Sequence, residues 1–69
     1  MKRIPVNSSS IAEIGYDESS QTLEVQFRNG RVYQYFSVPG QVANELMDAG
    51  SHGQYVNQHI KGLYRYARV

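Results

Sequence analysis

Between Thr22 and Val38 apolar and polar residues alternate. Leu23, Val25 and Phe27 are interleaved with Glu24, Gln26 and Arg28, and a second run, Val32 to Phe36, follows Asn29-Gly30. A two-residue period belongs to a strand with one buried face, and Asn-Gly between two such runs is a strong hairpin signal. The rest of the chain is read as cover for this hairpin.

Its loop admits two registers. With a two-residue type I′ turn at Asn29-Gly30, Phe27 faces Val32 and Leu23 faces Phe36, which sends Tyr33 and Tyr35 to the solvent side beside Arg28 and Arg31. With the loop Arg28-Asn29-Gly30 and a left-handed Gly30, Phe27 faces Arg31, Val25 faces Tyr33 and Leu23 faces Tyr35, and both tyrosines join the core. The first register sets Arg28 against Arg31, a like-charge cross-strand pair. The second is favoured on that ground, although it leaves Val32 and Phe36 on the other face, where a second layer would have to cover Phe36.

Upstream, Lys2 to Val6 reads as a short edge strand, because Pro5 has no amide proton to give to a ladder. Asn7-Ser8-Ser9-Ser10 is a polar connector whose hydroxyls suit turn or capping chemistry better than phosphate binding. In Ile11 to Tyr16, strict alternation would put Ile11, Glu13 and Gly15 on one face and Ala12, Ile14 and Tyr16 on the other, with Gly15 marking a bulge or a close approach. Asp17 to Ser20 is an acidic turn into the hairpin.

After Val38 the period lengthens. Pro39 suits a first helical position, and Val42, Leu46 and Met47 form the apolar stripe of a helix from about Pro39 to Ala49 that stops at Gly50. Ser51-His52-Gly53-Gln54 has the form of a capping box opening a second short helix through Tyr55, Val56, His59 and Ile60. Neither helix is long enough to persist alone in water, so both must dock on the Leu23, Val25 and Phe27 face. The tail, Leu63 to Val69, alternates aromatic and basic residues and would either close the sheet or lie across the helices. The expected fold is α+β: an antiparallel β-meander of three to four strands with two short α-helices packed on one face, in a single domain over residues 1–69.

Composition narrows the function classes. A chain of 69 residues hides only about 60% of its unfolded surface and has little material for a deep cleft. The absence of cysteine excludes a disulfide framework and a thiolate zinc site and fits a reducing compartment. No apolar segment follows Met1-Lys2-Arg3 and no run approaches the ~18 apolar residues of a membrane span, so a soluble, cytoplasmic protein without a membrane partner is expected. The net charge of +1 does not itself point to nucleic acid. Its distribution is more informative: every acidic residue lies at or before Asp48, whereas Lys61, Arg65, Arg68 and both histidines follow it.

Few residues offer candidate chemistry. His52 and His59 are seven apart with no cysteine or close carboxylate pair to complete a metal site. Asp48, Ser51 and His52 are neighbours in sequence, which does not make a triad. No catalytic residue, metal or cofactor is therefore assigned, and an enzyme is not expected. The Gly50 to Gly53 turn offers free backbone amides, with Ser51 and Gly53 as the candidate anion-binding residues. Interleaved cations and aromatic rings suit single-stranded nucleic acid, which is held by base stacking and backbone neutralisation. On that reading Arg28, Arg31, Tyr33, Tyr35, Lys61, Tyr64, Arg65 and Arg68 are the candidate nucleic-acid-binding residues. The opposing reading is that tyrosines simply build the core with hydroxyls at its rim, and it weighs more for Tyr33 and Tyr35 than for Tyr64 and Tyr66.

Together, Ser8-Ser9-Ser10-Ile11, Ile14-Gly15-Tyr16-Asp17, Thr22 to Phe27, Asn29-Gly30-Arg31-Val32-Tyr33-Gln34-Tyr35, Val38-Pro39, Ser51 to Asn57 and Tyr64 to Val69 resemble the KTSC domain. That family is named for the C-terminal extension of some lysyl-tRNA synthetases and also occurs as small free-standing proteins of bacteria and phages. Tyr33-x-Tyr35 is its hallmark, and Val56 stands where the family often has an aromatic residue. The resemblance implies no catalytic residue. Through its association with a tRNA-charging enzyme, it implies a non-catalytic binding module for RNA or tRNA. The rivals are a protein-interaction or homo-oligomerising role through an edge strand or the tail, and capture of a small anionic nucleotide at the Ser51 turn between subunits.

Overall fold

The structure, a computed structural model describing residues 1–69, joins five strands into one antiparallel sheet in chain order: β1 (Arg3–Pro5), β2 (Ile11–Asp17), β3 (Thr22–Phe27), β4 (Val32–Tyr35) and β5 (Tyr66–Arg68). This is more than the three to four strands expected, because both the Pro5 segment and the tail pair. Between β4 and β5 the chain leaves the sheet for α1 (Gly40–Asp48), α2 (His52–Tyr55) and a π-helical turn, Val56–Ile60.

The hairpin closes through the three-residue loop. The Gly30 amide donates to the Phe27 carbonyl at 2.9 Å and the Phe27 amide to the Arg31 carbonyl at 2.8 Å, while Gly30 takes a φ of +91° that a side chain would resist. Leu23 is thereby paired with Tyr35 and Val25 with Tyr33. Avoidance of the arginine pair was thus the right guide to register.

In β2 strict alternation fails, with a physical reason. A bulge between Ile11 and Glu13 leaves Ala12 unpaired, so Ile11 opposite Phe27 and Ile14 opposite Val25 both point toward the helices. Gly15 marks a close approach instead of the bulge. A Cβ there would lie 2.9 Å from both the Arg3 side chain and the Lys2 carbonyl.

Ile11, Ile14, Leu23 and Val25 meet Ala43, Leu46, Val56 and Ile60 in a core completed by Val38 and Tyr35. Each fully buried aliphatic side chain contributes about 1.5–3 kcal/mol, so this small cluster carries most of the favourable energy of the fold. Pro39 precedes α1 in an extended conformation, one position earlier than expected, and its carbonyl accepts from the Val42 and Ala43 amides. Ser51 caps α2, its hydroxyl accepting from the Gln54 amide at 3.3 Å. The Lys61 amide donates to the Val56 carbonyl at 2.8 Å, closing the wider turn that the sequence did not announce.

The opposite face of the sheet has no second layer, and Phe36 there remains partly exposed. Arg3 lies across it with Nε at 3.3 Å from Glu13 and 3.4 Å from Glu24, and Gln34 donates to Glu24 at 2.8 Å. No helix is long and apolar enough to cross a membrane.

Candidate functional site: a tyrosine cleft with a basic rim

The helices cover β2 and β3 but leave the β4 and β5 part of the same face open. Opposed residues of an antiparallel pair share a face, so the pairing of Tyr35 with Tyr66 and of Tyr33 with Arg68 gathers these side chains on the open part. Tyr66 stands edge-on to Tyr33 at a centroid distance of 5.8 Å and tilted to Tyr35 at 6.0 Å, while Tyr33 is also edge-on to Phe27 at 5.7 Å. These three tyrosines, with Lys61 and Gly62, line a cleft of about 380 Å³.

Each wall has a local cause. Tyr35 is nearly buried, and that burial, then its neighbours Tyr33 and Tyr66, pushes its phenol above the usual tyrosine range. It is a floor for the cleft and a core residue at once. Tyr66 is 63% exposed, an accessible ring face. The end of the π-helical turn aims Lys61 over the Phe27 ring, with Nζ 5.5 Å from its centroid, a cation–π contact that keeps the ammonium at the rim. Gly62, with a φ of +80° and open space where a side chain would be, turns the chain without filling the opening. A second recess of about 470 Å³, lined by Gly62, Leu63, Tyr64, Arg65 and Tyr66, shares Gly62 and Tyr66 with the first.

The candidate residues are therefore partly gathered. Tyr33, Tyr35 and Lys61 line the cleft, Tyr64 and Arg65 line the adjoining recess, and Arg68 lies opposite Tyr33. Arg31 is at the hairpin tip, close to the C-terminal end of β5, because the Val69 amide donates to the Val32 carbonyl at 2.9 Å. Arg28 stands apart: its Nε donates to the Ser8 carbonyl at 2.6 Å, tying it to the serine connector. The only ion pairs in the chain are those of Arg3, so Arg31, Lys61, Arg65 and Arg68 face solvent without internal carboxylate partners. Ser51 and Gly53 have other work. The Ser51 hydroxyl is the cap described above, and the Ser10 hydroxyl packs directly over Gly53.

Two contributors were not singled out from sequence. From sequence Tyr66 stands evenly between core and binding, and its position two residues after Tyr64 in an alternating tail is the available signal. Gly62 carried none, since its role depends on a turn that no local pattern announces. Elsewhere, Tyr55 donates to Glu45 at 2.8 Å and lies against His59 with centroids 4.6 Å apart. His52 Nε2 is 3.3 Å from the Met47 carbonyl.

Comparison with known proteins places this architecture. The KTSC domain family profile matches residues 7–69. An uncharacterized protein of Stutzerimonas stutzeri is 44% identical over 70 residues, covering 100% of this chain and 99% of its own length. A lysine–tRNA ligase of Trichormus variabilis is 44% identical over 61 residues, which are 88% of this chain but 11% of the ligase. The crystal structure of a KTSC domain protein from Yersinia pestis superposes with a TM-score of 0.96 at 40% identity, over 99% of this chain and 96% of that one. The chain belongs to the KTSC domain family.

Proposed function

We propose that the protein is a non-catalytic module that binds single-stranded RNA, such as an unpaired segment of a tRNA, at the tyrosine cleft. One observation carries this reading: three tyrosines form a cleft whose neighbouring cations lack internal carboxylate partners. Base stacking on such rings is worth about 1–3 kcal/mol per base, and arginine and lysine at the rim neutralise phosphates. Tyr33 and Tyr66 supply ring surface, Lys61, Arg65 and Arg68 supply charge, and Arg31 extends the charge toward the hairpin tip. Support comes also from the lysine–tRNA ligase that contains a similar segment.

Fluorescence titration with tRNA and with single-stranded RNA, at low and moderate salt, tests this. Binding should weaken with salt and fall further when Lys61 and Arg68 are reversed to glutamate. Unchanged affinity in that variant would remove the reading.

A second reading rests on the outer edge of β5, which has no strand partner and is flanked by the exposed Leu63 and Val69. Such an edge can pair with a second copy or another protein. Light scattering across a concentration series separates a monomer from an assembly.

A further inference from the structure

The two recesses beside Tyr66 are contiguous and chemically alike, although only one involves the hairpin tyrosines. The first has Tyr33 and Tyr35 as rings and Lys61 as cation; the second has Tyr64 as ring and Arg65 as cation. Tyr66 and Gly62 line both, and Gly62 has open space where a side chain would be. The first, at about 380 Å³, has room for a nucleobase, and the second is a shallow, open surface on which a base can lie. A ring shared by two adjoining surfaces, each with its own cation, is suited to two bases joined by one phosphodiester.

We infer that the recognised unit is a dinucleotide step, with Tyr66 inserted between two consecutive unpaired bases. One base lies against Tyr33 in the cleft and the next against Tyr64 in the recess, and the linking phosphate is neutralised by Lys61 and Arg65. This rests on the RNA-binding reading and deepens it by fixing the ligand's length and the partitioning residue. A mononucleotide can use only one side of Tyr66, whereas a dinucleotide uses both sides and places its phosphodiester between the two cations. Two stacked bases are favoured over one by about ten-fold or more in affinity.

The test is calorimetric titration of the whole chain with uridine 5′-monophosphate, the dinucleotide UpU and oligouridylates of increasing length. The expected result is a gain of at least about ten-fold from one base to two, followed by a much smaller gain per added base. Tyr66→Ala should lower UpU binding to the level of the mononucleotide, and Tyr66→Phe should keep the gain. Circular dichroism checks that both variants fold. Equal affinity for one base and two, a steady gain with every added base, or a UpU affinity indifferent to Tyr66→Ala would overturn the inference while leaving the RNA-binding reading intact. Failure of every oligonucleotide to bind would overturn both.

Discussion

Across β2 and β3 the helix-side face carries Ile11, Ile14, Leu23 and Val25, all covered by α1 and the π-helical turn; across β4 and β5 the same face carries Tyr33, Tyr66 and Arg68, which stay open beyond the buried Tyr35. The two halves share one sheet and one twist and differ in side-chain chemistry. Branched aliphatic side chains have no polar end and gain only from complete burial. Tyrosine gains from burying its ring while its hydroxyl stays wet, so a row of tyrosines is stable at a half-covered boundary. The open half therefore demands less of the fold than an exposed aliphatic patch would. The covered half provides the stability, and the open half leaves aromatic ring surface accessible.

The contrast is tested most strongly by truncating one residue in each half. Leu46→Ala empties a fully buried position and should cost about 2–5 kcal/mol, a large part of what a domain of this size has. Tyr66→Ala gives up only tilted and edge-on packing between aromatic rings and should cost less than about 1.5 kcal/mol. Urea denaturation of both variants decides this, and equal destabilisation would erase the distinction between the halves.

A smaller effect is expected where the sheet is pinned at its other edge. Gly15→Ala would drive a Cβ into the Lys2 backbone carbonyl as well as the Arg3 side chain, and backbone cannot swing aside without parting β1 from β2. A destabilisation of about 1–3 kcal/mol is expected, with faster amide exchange confined to β1 and β2. Unchanged exchange in β1 would contradict that account.

Titration provides a weaker probe of the same contrast. Burial first, then the Glu45 hydrogen bond, pushes the Tyr55 phenol from its ordinary 10.0 to about 12, and burial raises Tyr16 and Tyr35 in the same direction. Folded pKa values above the unfolded one mean that the native state holds these protons more tightly. That contribution is complete below pH 10 and is lost as pH rises toward about 12. Thermal melts across this window should show falling stability, with a shallower decline in Tyr55→Phe. The smallest effect is on the acid side. Hydrogen bonds from the Ser19 hydroxyl and amide hold Asp17 below its ordinary 3.8, so its contribution is present above that pH and is lost as pH falls below it. Comparing acid titrations of Asp17→Asn and the parent chain checks this, and identical curves would remove it.

Much of this architecture was legible locally. Asn29-Gly30 and the adjacent arginines sufficed for the hairpin register, because a turn and a cross-strand charge clash are both short-range facts. The Ser51 cap was legible for the same reason, although Gln54 makes no return bond to complete a capping box. The bulge at Ala12 was not legible, since it exists to let Ile11 and Ile14 face the same helices, a demand of packing that simple alternation does not encode. Nor was the tyrosine cleft. The pairing of Tyr35 with Tyr66 joins residues 31 positions apart in the chain, and the cleft forms only because the π-helical turn ends where Lys61 and Gly62 can rim it. The candidate cations were identified by type, but only the fold separates Arg28, tied to Ser8, from Lys61 and Arg68, which border the tyrosines.

On the proposed function, the uncovered half of the sheet binds nucleic acid by stacking and charge together. The most direct measurement is the affinity of the folded chain for single-stranded RNA as a function of salt, compared with the Lys61→Glu, Arg68→Glu double variant. Affinity is expected to fall as salt rises, with a slope of log affinity against log salt that is shallower in the variant by roughly 0.7 for each phosphate that is no longer neutralised. An affinity and salt slope the same in both proteins would contradict it.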